Sequence, residues 1–121
     1  MPHLTLEYSS NLGTAITPAL LRTANQALLA TGQFQELDIK SRAIAFDCFA
    51  VGTNESPRGF VAARLELLSG RDADTKRAIA KTLLAALEAA IVAAELELQI
   101  SVQIVDIDRD SYAKTLIPPQ S

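Results

Sequence analysis

The sequence predicts an α/β (α+β) fold in which a β-α-β unit is used twice, with two helices on one face of a four-stranded sheet. Three observations carry that expectation. Near both ends of the chain, apolar residues alternate with polar ones, the period of a half-buried strand. Two intervening stretches place apolar residues three and four apart, the period of an amphipathic helix. A turn-rich segment, Gly52-Thr53-Asn54-Glu55-Ser56-Pro57-Arg58-Gly59, divides the chain near its middle into halves of the same order.

The first strand is read from Leu4, Leu6 and Tyr8, which alternate with Thr5 and Glu7. Ser9 to Thr17 has the Ser, Asn, Gly and Thr content of a loop. Thr17-Pro18 is a helix start, a capping hydroxyl followed by a proline whose missing N–H costs nothing in the first turn. From there Leu20, Leu21, Ala24, Ala27 and Leu28 form one face of a helix over about 18–31, and Gly32 stops it. Ile39 to Ala50 is rich in Ile, Phe, Ala and Cys and reads as the second strand.

Beyond the central turn, Phe60 to Leu68 is the third strand, with Val61, Ala63, Leu65 and Leu67 on one face. Asp72 or Asp74 caps a second helix over about 73–95, whose apolar stripe is Ile79, Leu83, Leu87, Ile91 and Ala94. Leu98, Ile100, Val102 and Ile104 alternate with Gln99, Ser101 and Gln103 in the clearest strand pattern of the chain. The tail from 108 to 121 has no period. Each crossover should join parallel strands with right-handed chirality. Both helices must share one sheet face if each is to bury its single stripe. The other face is left bare, too polar at Gln99, Ser101 and Gln103 for a core, so subunit contacts are expected there.

At 121 residues and 49% hydrophobic content the chain fits a single domain, with halves about 2–50 and 60–107 and a tail 108–121. A net charge of −3, with acids and bases mixed, leaves no footprint for nucleic acid. No apolar run suits a membrane helix and no leader pattern is present, so a cytoplasmic protein is expected. The lone Cys48 has no disulfide partner and reads as a small hydrophobe in a strand, and no Cys/His cluster points to a metal.

Chemistry is expected at the amino terminus. Removal of Met1, favoured by a small second residue, leaves Pro2 as a secondary amine on a stiff ring. Terminal amines titrate near 7.7 to 8.0, and an apolar setting or a nearby cation lowers that value. Such an amine is a base at neutral pH. Lys40 and Arg42, two apart in a strand, share a face, and Arg71 lies in the turn before the second helix. A guanidinium grips a carboxylate bidentately, so these residues are candidate anion ligands; surface positions with ordinary ion pairing are the competing reading.

The run Pro2-His3-x-x-x-Glu7-x-Ser9-x-Asn11, with Ile39-Lys40-Ser41-Arg42 and Gly70-Arg71, resembles the 5-carboxymethyl-2-hydroxymuconate Δ-isomerase family of the tautomerase superfamily. The resemblance implies a tautomerase-like fold, a homotrimer with its sheets facing inward, and isomerisation without cofactor or metal. The substrate implied is a small anionic one, a di- or tricarboxylate enol from aromatic acid degradation. Pro2 would be catalytic, taking the proton of the 2-hydroxyl and returning one to C5, while Arg42, Arg71 and Lys40 would bind carboxylates. Lys40 stands where relatives often carry arginine, a point charge in place of a fork. Two alternatives stand beside this reading: another Pro2-dependent activity on a different enol or 2-oxo acid, and a non-catalytic oligomeric ligand-binding module.

Overall fold

Two parallel strand pairs set back to back build the sheet of this computed structural model, which describes residues 1–120. β1 (His3–Ser9) pairs in parallel with β2 (Lys40–Phe46), and β3 (Arg58–Leu68) pairs in parallel with β4 (Glu97–Ile107). The antiparallel pairing of β1 with β3 joins the halves and gives the order β2-β1-β3-β4. The parallel pairs are a consequence of the helical crossovers, as the β-α-β pattern requires.

The crossovers are α1 (Pro18–Ala30) and α2 (Ala73–Ala90). Thr17 caps α1 by accepting from the Leu20 N–H at 3.2 Å, and Asp72 caps α2 by accepting from the Thr75 N–H at 2.8 Å. Leu20, Ala24 and Leu28 of α1 and Ile79, Leu83 and Leu87 of α2 are buried in one core with Leu4, Leu6, Val61, Ala63, Leu65 and Leu67 of the sheet. The register places Leu4 beside Leu65 and Leu6 beside Ala63, so one continuous apolar layer lies beneath both helices. Each fully buried leucine contributes about 1.5–3 kcal/mol, and the two halves are thereby held by one core.

Three expectations need correction. α2 ends at Ala90, not near Glu95: Ile91 takes an extended conformation (φ −90°, ψ 121°) and Ala94 is exposed. The reason is geometric. β4 must begin beside Arg58 to run parallel to β3, and 18 helical residues at about 1.5 Å each have already carried the chain back, so high helix propensity yields to the return. β2 likewise stops at Phe46, not Ala50, because its ladder partner ends at Ser9, where the chain enters a 3-10 turn over Ser10–Ala15. Cys48 therefore lies outside the strand and is exposed.

The opposite sheet face carries no helix. His3, Thr5 and Glu7 of β1 lie there beside Lys40, Arg42 and Ile44 of β2, with Ala62, Arg64 and Glu66 of β3 on the other side. Gln99, Ser101 and Gln103 of β4 complete the face and are exposed, as the sequence predicts. Ile44 is 52% exposed and Phe46 37% exposed on the same face. No helix among the described residues is long and apolar enough to cross a membrane.

Candidate active site

The N-terminal motif divides between the two ends of β1. At its far end, the buried Ser9 hydroxyl accepts from the Phe60 N–H at 3.0 Å, and the Asn11 side-chain amide donates to the Arg58 carbonyl at 2.8 Å. These bonds continue the ladder after the β1 backbone has turned away. Gly59 lies against both, since a Cβ there would stand 2.9 Å from Ser9 Oγ and 3.2 Å from Asn11 Oδ1. Ser9 and Asn11 thus hold β1 to β3, and the chemistry must be sought at the other end.

That end begins with Pro2, whose ring is buried and whose carbonyl accepts from the Lys40 main-chain N–H at 3.2 Å. The amino group of Met1 is held below the ordinary value of a terminal amine, first by burial and then by the Lys40 and Lys114 ammoniums, with Asp38 opposing. Lys40 is fixed by the first position of β2, directly beside His3, and its Nζ donates to the Asp38 carbonyl. Arg42 follows beside Thr5, on the same face. Two of the predicted cations are thus brought to the start of β1 by parallel register alone.

His3 links them. Arg42 carries only donors, so its contact at 3.4 Å makes His3 Nδ1 the acceptor. The proton then sits on Nε2, which donates toward Tyr112 Oη at 3.5 Å. Burial first, then the charges of Lys40, Arg42 and the terminal amine, lower the His3 pKa, with Glu66 opposing. All these effects favour the neutral imidazole that this tautomer requires.

Arg71 is differently placed. β3 runs antiparallel to β1, so the turn after β3 lies at the Pro2 end of the sheet. The Arg71 guanidinium is nevertheless occupied within the chain. Its Nε donates to Gln33 Oε1 at 3.2 Å, and its terminal nitrogens donate to the Gln33 and Leu68 carbonyls at 3.1 and 3.3 Å. The Phe34 ring lies 5.0 Å beneath it. These contacts pin the chain after α1 to the turn before α2.

Asp38, Tyr112 and Lys114 are site neighbours that sequence reasoning missed. The tail leaves β4, passes a 3-10 turn over Arg109–Ser111, and brings Tyr112 against His3 with ring centroids 6.4 Å apart. Lys114 then reaches the Asp38 carboxylate at 2.5 Å, which lowers the Asp38 pKa and raises that of Lys114. No periodicity marks these residues, because only the return of the chain makes them neighbours of Pro2. Leu116 and Ile117 remain exposed. No group of three or more His, Cys, Asp or Glu side chains among the described residues is arranged to hold a metal ion.

Comparison with known proteins shows the family. The sequence model of the 5-carboxymethyl-2-hydroxymuconate isomerase family matches residues 2–118. A 5-carboxymethyl-2-hydroxymuconate isomerase from Deinococcus radiodurans R1 shares 32% identity over 94% of this chain and 88% of its own, with a TM-score of 0.84. A 5-carboxymethyl-2-hydroxymuconate delta-isomerase at 20% identity covers 96% of this chain and 88% of its own with a TM-score of 0.74, a likeness of fold. A fused 4-OT symmetric trimer at 16% identity gives 0.70 over 93% of this chain and 90% of its own, again a likeness of fold. No curated protein sequence matches the chain. With a family match over nearly its whole length and a tautomerase-like sheet and helix arrangement, the chain belongs to the 5-carboxymethyl-2-hydroxymuconate isomerase family and is an isomerase.

Proposed function

We propose that the chain isomerises an unsaturated 2-hydroxy polycarboxylic acid, 5-carboxymethyl-2-hydroxymuconate in the first instance, with Pro2 as base and then acid. The observation that carries the reading is the setting of the terminal amine, where burial and two ammonium groups together favour the neutral form. With Met1 removed, the amine becomes the Pro2 ring nitrogen, one residue deeper at the start of β1. The space held by Met1 then adjoins that nitrogen and Lys40.

In this reading the neutral Pro2 nitrogen takes the proton from the substrate 2-hydroxyl. The electron pair moves through the dienolate to C5, and the protonated amine delivers a proton there, so the amine ends as it began. A pKa near the working pH serves both steps. Lys40 and Arg42 hold carboxylates and stabilise the negative charge that spreads over the dienolate oxygens. The half-exposed Ile44 and Phe46 at one edge of the open face, with the exposed Gln99, Ser101 and Gln103 at the other, support assembly of three subunits through that face, the state of the fused 4-OT trimer.

A second reading, the same chemistry on a different enol acid, is favoured by Arg71. Its guanidinium already serves Gln33 and Leu68, which leaves Lys40 and Arg42 as the nearer cations. The test is the ultraviolet decay of the dienol with the native chain and with the processed chain acetylated at the Pro2 nitrogen, since Pro2→Ala would still present a terminal amine. Loss of a general base costs about 10²–10⁴-fold in rate; an acetylated chain as fast as the native one would remove Pro2 from the mechanism. Retained Pro2 dependence with a higher rate on a smaller enol acid would select the second reading.

A further inference from the structure

The tail crosses the sheet end in strand order. Arg109 Nε donates to the Ser69 carbonyl just after β3, Tyr112 meets His3 at the start of β1, and Lys114 reaches Asp38 just before β2. A segment of six residues from Arg109 to Lys114 thereby straps three successive strands at their Pro2 end. Such a strap orders a tail that has no apolar face of its own.

We propose that Lys114, delivered by this strap, is a ligand for a substrate carboxylate, and that Asp38 is the internal anion occupying that position until substrate arrives. This rests on the reading of Pro2 as the reacting centre only for the identity of the bound acid. Three facts support the placement. Lys40 and Lys114 converge on one residue, Lys40 Nζ on the Asp38 carbonyl and Lys114 Nζ on its carboxylate. The Met1 amine feels Lys114 as well as Lys40, so Lys114 stands within electrostatic reach of the start of the chain, next to Pro2. Finally, the Lys114 and Asp38 side chains are 39% and 37% exposed, and solvent and salt weaken ion pairs in such settings. A weak internal pair can be exchanged for a substrate carboxylate held by several cations at once.

The competing role for Lys114 is mechanical, an anchor that merely fastens the tail. The two roles give opposite signs at Asp38. An anchor is lost equally by Lys114→Ala and by Asp38→Asn, so both variants would weaken binding. A ligand with an internal competitor is lost by Lys114→Ala but freed by Asp38→Asn.

The experiment is calorimetric titration of the processed chain with propane-1,2,3-tricarboxylate at low ionic strength, an unreactive tricarboxylate that requires no turnover. Lys114→Ala should weaken binding about tenfold, the scale of one charge-assisted hydrogen bond, and Asp38→Asn should tighten it. In turnover of the dienol, Lys114→Ala should raise KM far more than it lowers kcat, and Lys114→Arg should restore part of the loss. Equal binding by the native and Lys114→Ala chains, weakening by both variants, or no binding by the native chain would overturn the proposal. The rate of the Pro2-acetylated chain decides the role of Pro2 and the tricarboxylate titration decides that of Lys114, so either can fail alone.

Discussion

The two ends of β1 carry parts of one sequence motif and use them differently. At the Ser9 end the groups are neutral, closely packed and mutually bonded: Ser9 Oγ to Phe60, Asn11 to Arg58, with Gly59 fitted between them. At the Pro2 end the cations Lys40, Lys114 and Arg42 gather near a buried ring with fewer acids to answer them, Asp38 beside Lys40 and Lys114 and Glu66 near His3. Like charges gathered at one site oppose folding. Their presence there, against the satisfied bonds of the Ser9 end, separates what the strand contributes to stability from what it offers to an anion.

The comparison can be broken first at Gly59. A valine there must place its Cβ within 3 Å of Ser9 Oγ and displace the bond to Phe60. Overpacking of this kind costs up to about 3 kcal/mol. Thermal unfolding of Gly59→Val should therefore begin at a distinctly lower temperature, while kcat per folded chain stays near the native value. A collapse of kcat at full stability would mean that the Ser9 end belongs to the site after all. Ser9→Ala is the milder form of the same test. It removes the acceptor for the Phe60 N–H without overcrowding, and about 1 kcal/mol of stability should be lost. Denaturant titration measures that loss directly.

The same contrast explains what could be read from the sequence. Helix starts were legible because their signals are local: Thr17-Pro18 and Asp72 cap where the residue types say they should. Helix and strand ends were not, because α2 stops to meet the start of β4 and β2 stops where β1 does. In the site, the common face of Lys40 and Arg42 follows from strand periodicity. The engagement of Arg71 with Gln33 and Phe34, and the arrival of Tyr112 and Lys114, depend on contacts between residues far apart in sequence. Alternation and capping carry no information about such returns of the chain.

The smallest predicted effect sharpens the Pro2 end itself. The acid limb of the kcat/KM profile reports the base of the free enzyme, which in the proposed mechanism is the terminal amine. At the Met1 amine burial is the first cause of a lowered pKa and Lys40 the second, and the Pro2 amine exposed by Met1 removal is expected to inherit that setting. A neighbouring cation disfavours the protonated amine, so Lys40→Met should raise the apparent pKa and move the acid limb to higher pH. Asp38 acts in the opposite direction, and Asp38→Asn should move the limb to lower pH. Added salt screens the Coulombic part and leaves the desolvation part, so the native limb should drift upward with ionic strength and the Lys40→Met limb should drift less. Since burial leads and Lys114 remains, part of the lowering should survive in Lys40→Met. A limb that moves fully to the value of an exposed amine would show that charge, not burial, governs the base, and one that ignores Lys40, Asp38 and salt alike would show that the titrating group lies elsewhere.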